Sequence, residues 1–347
     1  SARENVVRTK GVVLSVDNSS IQQHGMVKTG DQTVKVEITA GKYKGEIVKA
    51  TNVLLGKMEF DKIFAEGDKA LIALSLHPED GRIVEATAVD HYRIGTERLL
   101  LIIFVILLVL FAGWTGAKAM ISFIFAGVLI WKVLLPAFLA GWNPIFIALV
   151  VVALLTFAII FLIGGLNLRG LVAFLGSISG VGLTAAFAII FGNMMKIHGA
   201  VKPFSETLLY SGYGHLDLTS IFLAGIFIAS SGAVMDIGMD IAASMAEVKN
   251  KQPNIGILDH IYSGFTVGRA VIGTMTTTLL LAYSGGYTTL LMVFMAQGTP
   301  GINIFNLTYV AAEILHTMVG SFGLVLVAPA TAVIGGFIYS RWRPLTS

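Results

Sequence analysis

Two aspartates stand inside a long apolar stretch of this sequence. Asp236 and Asp240 belong to Ala229–Asp240, ASSGAVMDIGMD, within the apolar segment Ile221–Ala243. On a helix, a spacing of four residues places both carboxylates on one face, one turn apart. A charge near the middle of a membrane-spanning helix is costly unless it faces protein, water or a partner. The pair therefore indicates a polar site, and the alternative is that both carboxylates are hydrated near the cytoplasmic end of the helix.

Four more ionisable residues lie in or near apolar segments, namely Lys132, Arg269, Glu313 and His316. Glu313 and His316 are three residues apart and so share a helical face, a spacing that carboxylate-bridged metal sites also use. Opposite the aspartate pair they would form a proton relay or a site for a hard cation, whose identity the sequence leaves unknown. We expect substrate or ion coupling to involve Asp236, Asp240, Glu313, His316 and Arg269.

Each of these side chains also has a structural interpretation. Glu313 would be the salt-bridge partner of Arg269, since buried charges must be paired. His316 would be packed in the protein with a bond to a backbone carbonyl. Arg269, at the start of an apolar span, would neutralise an aspartate, hold an anionic substrate or anchor the helix at the membrane interface.

A strong helix breaker, Gln297–Gly301 (QGTPG), interrupts the last third of the chain. Non-helical backbone at membrane depth is tolerated only inside protein or beside a water-filled cavity, and transporters use it for binding sites. The sequence therefore predicts a gate or hinge at Gly298, Pro300 and Gly301. The alternative is a surface turn between two ordinary short spans. A polar path would include Thr276, Thr277, Asn303 and Asn306, unless the threonines bond back to helix carbonyls.

The composition is that of a multispanning membrane protein. Of 347 residues, 55% are hydrophobic and 13% are charged, against roughly a quarter charged in soluble domains. The absence of cysteine excludes disulfides and thiolate metal sites. The net charge of +3 is too small and too scattered to indicate nucleic acid binding. Because known catalytic motifs are absent, we expect neither an enzyme nor a cofactor.

The charged residues are concentrated near the start of the chain, which divides it into residues 1–95 and 96–347. Short runs rich in Val, Ile and Thr, separated by turns such as GDQ and PEDGR, predict about five strands in the first part. Such strands suit a small barrel or sandwich of the OB-like kind. Since fold alone does not give function, a soluble cap or assembly module is favoured over a binding domain.

Residues 96–347 predict about seven to eight helical membrane spans, one of them broken or re-entrant. The fourth carries Gly176, Gly180 and Gly182, which suit close helix packing. The apolar runs are Leu99–Gly113, Ala119–Leu135, Pro144–Ile163, Leu171–Phe191, Thr219–Ala243, Thr266–Tyr283, Tyr287–Ala296, Ile304–Val319 and Gly320–Tyr339.

Basic residues in the loops predict the orientation. If the segments cross in succession, one side carries Lys118, Arg169, Lys249, Lys251, Arg341 and Arg343. The positive-inside rule makes that side cytoplasmic, although Lys132, Lys196 and Lys202 fall on the other. The β domain is then extracytoplasmic, and we expect a membrane anchor before Ser1.

Four blocks of the sequence are distinctive: SGAVMDIGMDIAASMAEV (Ser231–Val248), GRAVIGTMTTTLLLAYSGG (Gly268–Gly286), EILHTMVGSFGLVLVAPATA (Glu313–Ala332) and the N-terminal GVVLSVDNS (Gly11–Ser19). The first three resemble the signature blocks of the YibE/F-like family of bacterial membrane proteins, and the N-terminal block is similar to that family too. The resemblance implies a multi-pass, permease-like protein of the bacterial inner membrane, preceded by an extra N-terminal helix. It brings no substrate with it.

These observations favour a proton- or cation-coupled secondary transporter of a small solute. One alternative is a channel, which needs an oligomer with a polar ring. Another is a non-transporting subunit or sensor of a larger membrane complex. The expected partners are the lipid bilayer, a small solute or ion, and either a second copy or a membrane partner, with no nucleic acid.

Overall fold

The computed structural model describes residues 6–341. The chain divides into two compact units, Ser1–Leu107 and Leu108–Ser347. The first unit contains the strands and the beginning of the first long helix, and the second contains the rest of the helices. The predicted fold class is therefore confirmed: a polytopic helical membrane protein with a small N-terminal β-barrel.

The N-terminal unit is a closed barrel of five strands with one added hairpin strand. Around the barrel the order is β1, β5, β6, β4 and β3, and β1 pairs with β3 to close it, while β2 extends β3 as a hairpin. Along β3, Val34, Val36 and Ile38 are fully buried, which is the period-two pattern of a half-buried strand. The strands are β1 (Val6–Asp17), β2 (Ile21–His24), β3 (Val27–Ile38), β4 (Ile47–Leu55), β5 (Lys69–Leu76) and β6 (Ile83–His91).

Two fully buried amides, Gln32 and Asn52, fasten the loop before β5 to the barrel. Gln32 Nε2 donates to Asn18 Oδ1 and to the Phe64 carbonyl, both at 2.8 Å. Gln32 Oε1 accepts from the Phe64 N–H at 2.9 Å and from Asn52 Nδ2 at 3.1 Å. Asn52 Nδ2 also donates to the Lys62 carbonyl at 2.7 Å. The network thereby holds the Phe64 ring in the barrel core.

Replacement of Gln32 by leucine is expected to lower the free energy of unfolding of the barrel by about 2–3 kcal/mol. The change leaves the Phe64 backbone and the Asn52 amide buried without these partners. Gln22→Leu, on the exposed face of β2, is the matched control and should change stability by less than about 0.5 kcal/mol. Hydrogen exchange of the barrel amides in the purified full chain measures both, and equal protection in the two variants would contradict the role of the network.

In the described part of the chain, six helical stretches are long and apolar enough to cross a membrane: Ile94–Leu139, Pro144–Gly164, Leu168–Met194, Leu218–Lys251, Ile257–Ala296 and Thr308–Ser340. The first consists of α1 (Ile94–Leu129), a π-helical turn (Ile130–Leu134) and α2 (Leu135–Leu139). The remaining helices are α3 (Pro144–Gly164), α4 (Leu168–Met194), α5 (Ser205–Tyr210), α6 (Leu218–Lys251), α7 (Ile257–Ala296), α8 (Gly301–Asn306) and α9 (Thr308–Ser340).

The first stretch is sharply bent. Its 46 residues would extend about 69 Å as a straight helix, more than twice the thickness of the hydrocarbon layer. At Gly113 the backbone leaves the helical region, with φ 56° and ψ −131°. In a straight helix, Leu108 and Gly116 would be about 12 Å apart along the axis. Here a side chain at Gly116 would collide with the Leu108 carbonyl oxygen, which shows how sharp the bend is. The bend lies between the two apolar runs Leu99–Gly113 and Ala119–Leu135.

The predicted helix breaker lies at the end of a long helix. Thr266–Tyr283 and Tyr287–Ala296, predicted as separate pieces, form one helix of 40 residues, α7. Gly298, with φ 64°, then turns the chain, and Pro300 immediately precedes α8. Within residues 6–341 the interrupted stretch is therefore the first one, and the breaker is a turn between α7 and α8. The joined pieces leave six candidate stretches among the described residues, of which the bent one contains two of the predicted apolar runs.

Small residues let α4, α6 and α9 approach closely at the centre of the helical unit. A side chain at Gly176 would collide with Thr331 on α9, and a Cβ at Gly180 would lie 2.8 Å from the Val327 Cβ. Gly182 is different, since it is exposed and nothing lies within 4 Å of where its Cβ would be. The predicted small-residue face is therefore a packing face at Gly176 and Gly180 only.

Candidate functional site

Asp236 and Asp240 lie on one face of α6, as their spacing predicts, and this face points away from the packed bundle. Both are exposed, together with Gly232 and Ala243 along the same stripe. The opposite side of α6 packs against α4 and α9. Among residues 6–341 neither aspartate forms an ion pair. In a bilayer these two carboxylates require a polar environment from outside this helix.

Arg269 is exposed on α7 at about the height of Asp240. The preceding residue, Gly268, packs against Ile241, whose Cδ1 would lie 3.4 Å from a Cβ at Gly268. Within the described part of the chain Arg269 makes no ion pair, either with the aspartates or with Glu313. The predicted Arg269–Glu313 salt bridge is therefore wrong, because Glu313 has a different partner.

That partner is Lys202, in the connection between α4 and α6. Lys202 Nζ forms an ion pair with Glu313 Oε1, and the ammonium also lies 5.4 Å from the centre of the Phe222 ring. The other carboxylate oxygen, Glu313 Oε2, is 4.0 Å from His316 Nδ1. The side chains of Lys202, Glu313 and His316 are 34%, 23% and 16% exposed, so Glu313 lies between two basic groups that are largely withdrawn from water.

His316 also contacts Tyr283 on α7, with ring centres 4.4 Å apart. In the described part of the chain, His316 Nε2 and the Tyr283 hydroxyl are buried and have no hydrogen-bond partner. Buried polar atoms are nearly always paired, so two orphaned atoms at one place call for water or a ligand. The interpretation of His316 as a histidine bonded to a backbone carbonyl does not fit this geometry.

The predicted coupling residues do not form one site. Ser230 of α6 lies level with Gly320 of α9, and the two helices run parallel. At about 1.5 Å per residue, Asp236 is offset from Glu313 by about 20 Å along the bundle. Residues 6–341 contain no group of three or more His, Asp or Glu side chains that could hold a metal ion. A cation site shared by the aspartates with Glu313 and His316 is therefore excluded within this part of the chain.

A cover segment, residues 195–217, places Lys202 over α9. Its buried Val201 packs with residues of α6 and α9. At Gly199 the backbone runs so close to α6 that any Cβ would collide with the Leu218 carbonyl oxygen. The Gly199 N–H also donates to Thr219 Oγ1 at 3.3 Å. These contacts fix the backbone near Lys202, so that its side chain reaches Glu313.

Two cavities meet at Lys202. The apolar cavity, of about 510 Å³, is lined by His316 and by apolar side chains that include Phe204, Leu208, Ile221 and Phe222. The polar cavity, of about 490 Å³, is lined by Glu313, Glu206, Tyr287 and Tyr309. Lys202 lines both cavities, whereas His316 lines only the apolar one and Glu313 only the polar one. The Lys202–Glu313 ion pair therefore lies at their boundary.

Comparison with known families supports the resemblance seen in the sequence. Residues 100–341 match the family model described as YibE/F-like protein. The chain belongs to the YibE/F-like family. Residues 6–91 match the YibE/F family N-terminal domain, and no curated protein and no solved structure matches the chain. Since membership of the YibE/F-like family brings no substrate, the chemistry has to be inferred from the side chains.

The other predicted residues of this YibE/F-like protein are bonded locally or exposed. Thr276 and Thr277 donate to helix carbonyls about one turn earlier, at 2.8 and 3.0 Å, which is the alternative interpretation of the threonines. Asn306 Nδ2 does the same at 2.7 Å. The exposed residues are Asn303, Gly298, Pro300, Gly301 and Lys132. The gate at Gly298, Pro300 and Gly301 and the polar path therefore stay predictions.

Two members of the cluster, Lys202 and Tyr283, were not predicted as site residues in this YibE/F-like sequence. In the sequence, Lys202 is one of three basic residues on the less basic side of the predicted topology. One signal could have found it, because a glutamate in an apolar helix requires a cation and Lys202 is among the few outside the basic loops. Tyr283 had no comparable signal, since a tyrosine at the end of a span is a common interface anchor.

Proposed function

We propose that this membrane protein is a permease, a proton-coupled secondary transporter of a small solute, rather than an enzyme. The observation that carries the proposal is the cluster in which Glu313 lies between Lys202 and His316, where two cavities meet. Ionisable side chains retained in membrane helices beside a cavity are typical of proton relays and substrate pathways.

Protonation of His316 would change the balance of charge around Glu313. With His316 neutral, Lys202 is the one cation in contact with the carboxylate among the described residues. With His316 protonated, Glu313 is shared between two cations, and its attraction for Lys202 is weakened. The groups that face His316 are Lys202, Glu313 and the Tyr283 ring, so this exchange is the main electrostatic change at the cluster.

The cover segment is the element that such a change would move. Its ionic contact with α9 is the Lys202–Glu313 pair. Its other contacts include the apolar packing of Ile197 and Val201, the close backbone approach at Gly199 and the contact of His215 with the Leu139 carbonyl. A proton or solute can shift a two-state equilibrium only by its differential affinity for the two states. Because protonation of His316 weakens the ion pair, the proton would bind more tightly to the state in which the cover segment is open. Opening of the cover segment would then connect the two cavities.

Charge distribution supports an orientation with the cluster on the extracytoplasmic side. The opposite end of the bundle carries Arg169, Lys249, Lys251 and Arg341, which the positive-inside rule places in the cytoplasm. The bend at Gly113 divides the first stretch into two apolar runs, each long enough with its flanks to cross separately. With two crossings there, the barrel is extracytoplasmic too, in the bacterial inner membrane that the family implies.

Proteoliposomes loaded with a pH-sensitive dye test the proposal. Organic acids, amino acids, amines and sugars would be added one class at a time under an imposed pH gradient. We expect one class to move protons with it in the wild type, and His316→Gln to reduce that flux at least ten-fold, as removal of a proton-carrying group does. His198→Gln, which changes an exposed histidine of the cover segment, is the matched control and should leave the flux unchanged.

The proposal fails if no class of solute moves in wild-type vesicles, or if His316→Gln transports with an unaltered response to the gradient. Asp236→Asn belongs in the same series. Loss of flux in that variant as well would assign part of the proton path to the outward face of α6.

A second candidate, an oligomeric channel, is favoured by the exposure of Asp236 and Asp240. Packed against other copies, the α6 stripe could contribute a ring of carboxylates to a pore. Single-channel currents far above carrier turnover, lost in Asp236→Asn, would select this function. Copurification of a different membrane protein in fixed ratio would select an assembly role instead.

A further inference from the structure

We propose that the apolar cavity binds an amphipathic anion, with an apolar body of roughly the size of a phenylalkyl group and a carboxylate or phosphate head held by Lys202. The inference rests on the transporter proposal for its physiological role, but it concerns binding alone. It names the chemical class of the solute that the cluster would carry.

The ionisable groups that line the apolar cavity are both basic. Lys202 and His316 line it, and Glu313 does not. A lysine ammonium has three N–H donors, and the ion pair with Glu313 Oε1 engages one of them. His316 also lines this cavity, but its Nε2 is itself buried, so Lys202 is the direct contact for the head. An amine would bring its positive charge against Lys202 without a carboxylate to balance it.

The remainder of the lining selects an apolar body. The lining surface is mainly apolar and includes the large side chains of Phe204, Leu208, Ile221 and Phe222. Phe222 also faces the Lys202 ammonium. A volume of about 510 Å³ lies within the range of small-molecule sites, which are mostly apolar with a few placed polar groups. A sugar or another uniformly polar solute would leave its hydroxyl groups without partners on these walls, which costs binding free energy.

Charge balance links anion binding to a proton. Without a solute, Lys202 and Glu313 compensate each other. An added anion would leave one net negative charge in a poorly hydrated place, which is costly. Protonation of His316, whose Nδ1 lies 4.0 Å from Glu313 Oε2, restores neutrality and lets Glu313 turn from Lys202 to the imidazolium. Binding of a monoanion should therefore take up about one proton.

The test compares three probes that share a body and differ in the head: 4-phenylbutyrate, 4-phenylbutanol and 4-phenylbutylamine. Binding of radiolabelled 4-phenylbutyrate to the purified full chain in detergent is measured with the others as competitors. We expect the alcohol to compete at least ten-fold more weakly than unlabelled carboxylate, and the amine not to compete. Lys202→Met should weaken binding at least ten-fold, Lys202→Arg should largely restore it, and Lys196→Met, an exposed lysine of the cover segment, should not alter it.

Equal competition by the amine, or unchanged binding in Lys202→Met, would overturn the inference, and the comparison of probes needs no variant to fold. Nanodiscs with and without phosphatidylglycerol distinguish the source of the anion. Displacement of 4-phenylbutyrate by that lipid would assign the cavity to an anionic lipid, and no displacement would assign it to a soluble carboxylate. The binding assay applies no gradient, so its result is independent of transport. Binding without transport would contradict the transporter proposal alone, and transport without anion binding would contradict this inference alone.

Discussion

Lys202→Met should lower proton-coupled flux at least 100-fold and destabilise the helical unit by about 2 kcal/mol. Removal of one partner of a buried ion pair leaves an uncompensated charge, which costs about 3–5 kcal/mol at a fully buried site. Here the pair is 34% and 23% exposed, so water screens part of that cost. The expected loss of flux exceeds the ten-fold loss expected for His316→Gln, because Lys202→Met removes both the partner of Glu313 and the proposed contact for the solute.

A double variant distinguishes the loss of the Lys202–Glu313 ion pair from a general loss of packing. In the double variant Lys202→Met/Glu313→Gln neither charge remains, so its free energy of unfolding should exceed that of Lys202→Met alone by about 1 kcal/mol. Lys196→Met, in the same segment and without an ion pair among the described residues, should change stability by less than about 0.5 kcal/mol. Denaturant unfolding in a fixed detergent measures all three. A double variant less stable than Lys202→Met would show that the two side chains contribute independently.

Much of the architecture follows from periodicity and hydropathy. In the barrel, alternation such as that of Val34, Val36 and Ile38 sets strand positions, and turn residues separate the strands. In the helical unit, apolar length marks the spans. What could not be predicted is where neighbouring apolar pieces join. Tyr287–Ala296 continues α7 without a break, because Gly285 and Gly286, which precede it, are tolerated in a helix. Gly113, the last residue of its apolar run, instead produces the bend.

The candidate site was only half predictable, for a geometric reason. Spacing along one helix determines which residues share a face, so the pairing of Glu313 with His316 follows from the sequence. Height relative to another helix depends on loops and on how helices slide during packing, so Asp236 could not be placed relative to Glu313. The position of Lys202 is set by the backbone contact at Gly199, which has no counterpart in any sequence pattern.

Gly176→Leu is expected to destabilise the helical unit by about 4 kcal/mol or more, enough to prevent accumulation of the folded protein. A side chain at Gly176 would collide with Thr331, so α4 and α9 would have to separate. Thr331 is fully buried, and inserted bulk in a close-packed interior forces backbone shifts. Separation of α4 and α9 would also disturb the cluster, since α9 carries Glu313 and His316. Their contacts with Lys202 and Tyr283 depend on the position of α9.

Gly182→Leu provides the matched control on the same helix. Both substitutions replace glycine with leucine in α4, so both gain the same helix propensity, roughly 1 kcal/mol. At Gly182 the new side chain would project away from the bundle, where nothing lies within 4 Å, and in a bilayer it would meet lipid. We expect wild-type yield and thermal stability from Gly182→Leu, measured by fluorescence-detected size-exclusion chromatography after heating. Equal tolerance of leucine at both positions would mean that α4 and α9 do not pack as closely as their small residues allow, and the placement of α9 against the cover segment would then lose its support.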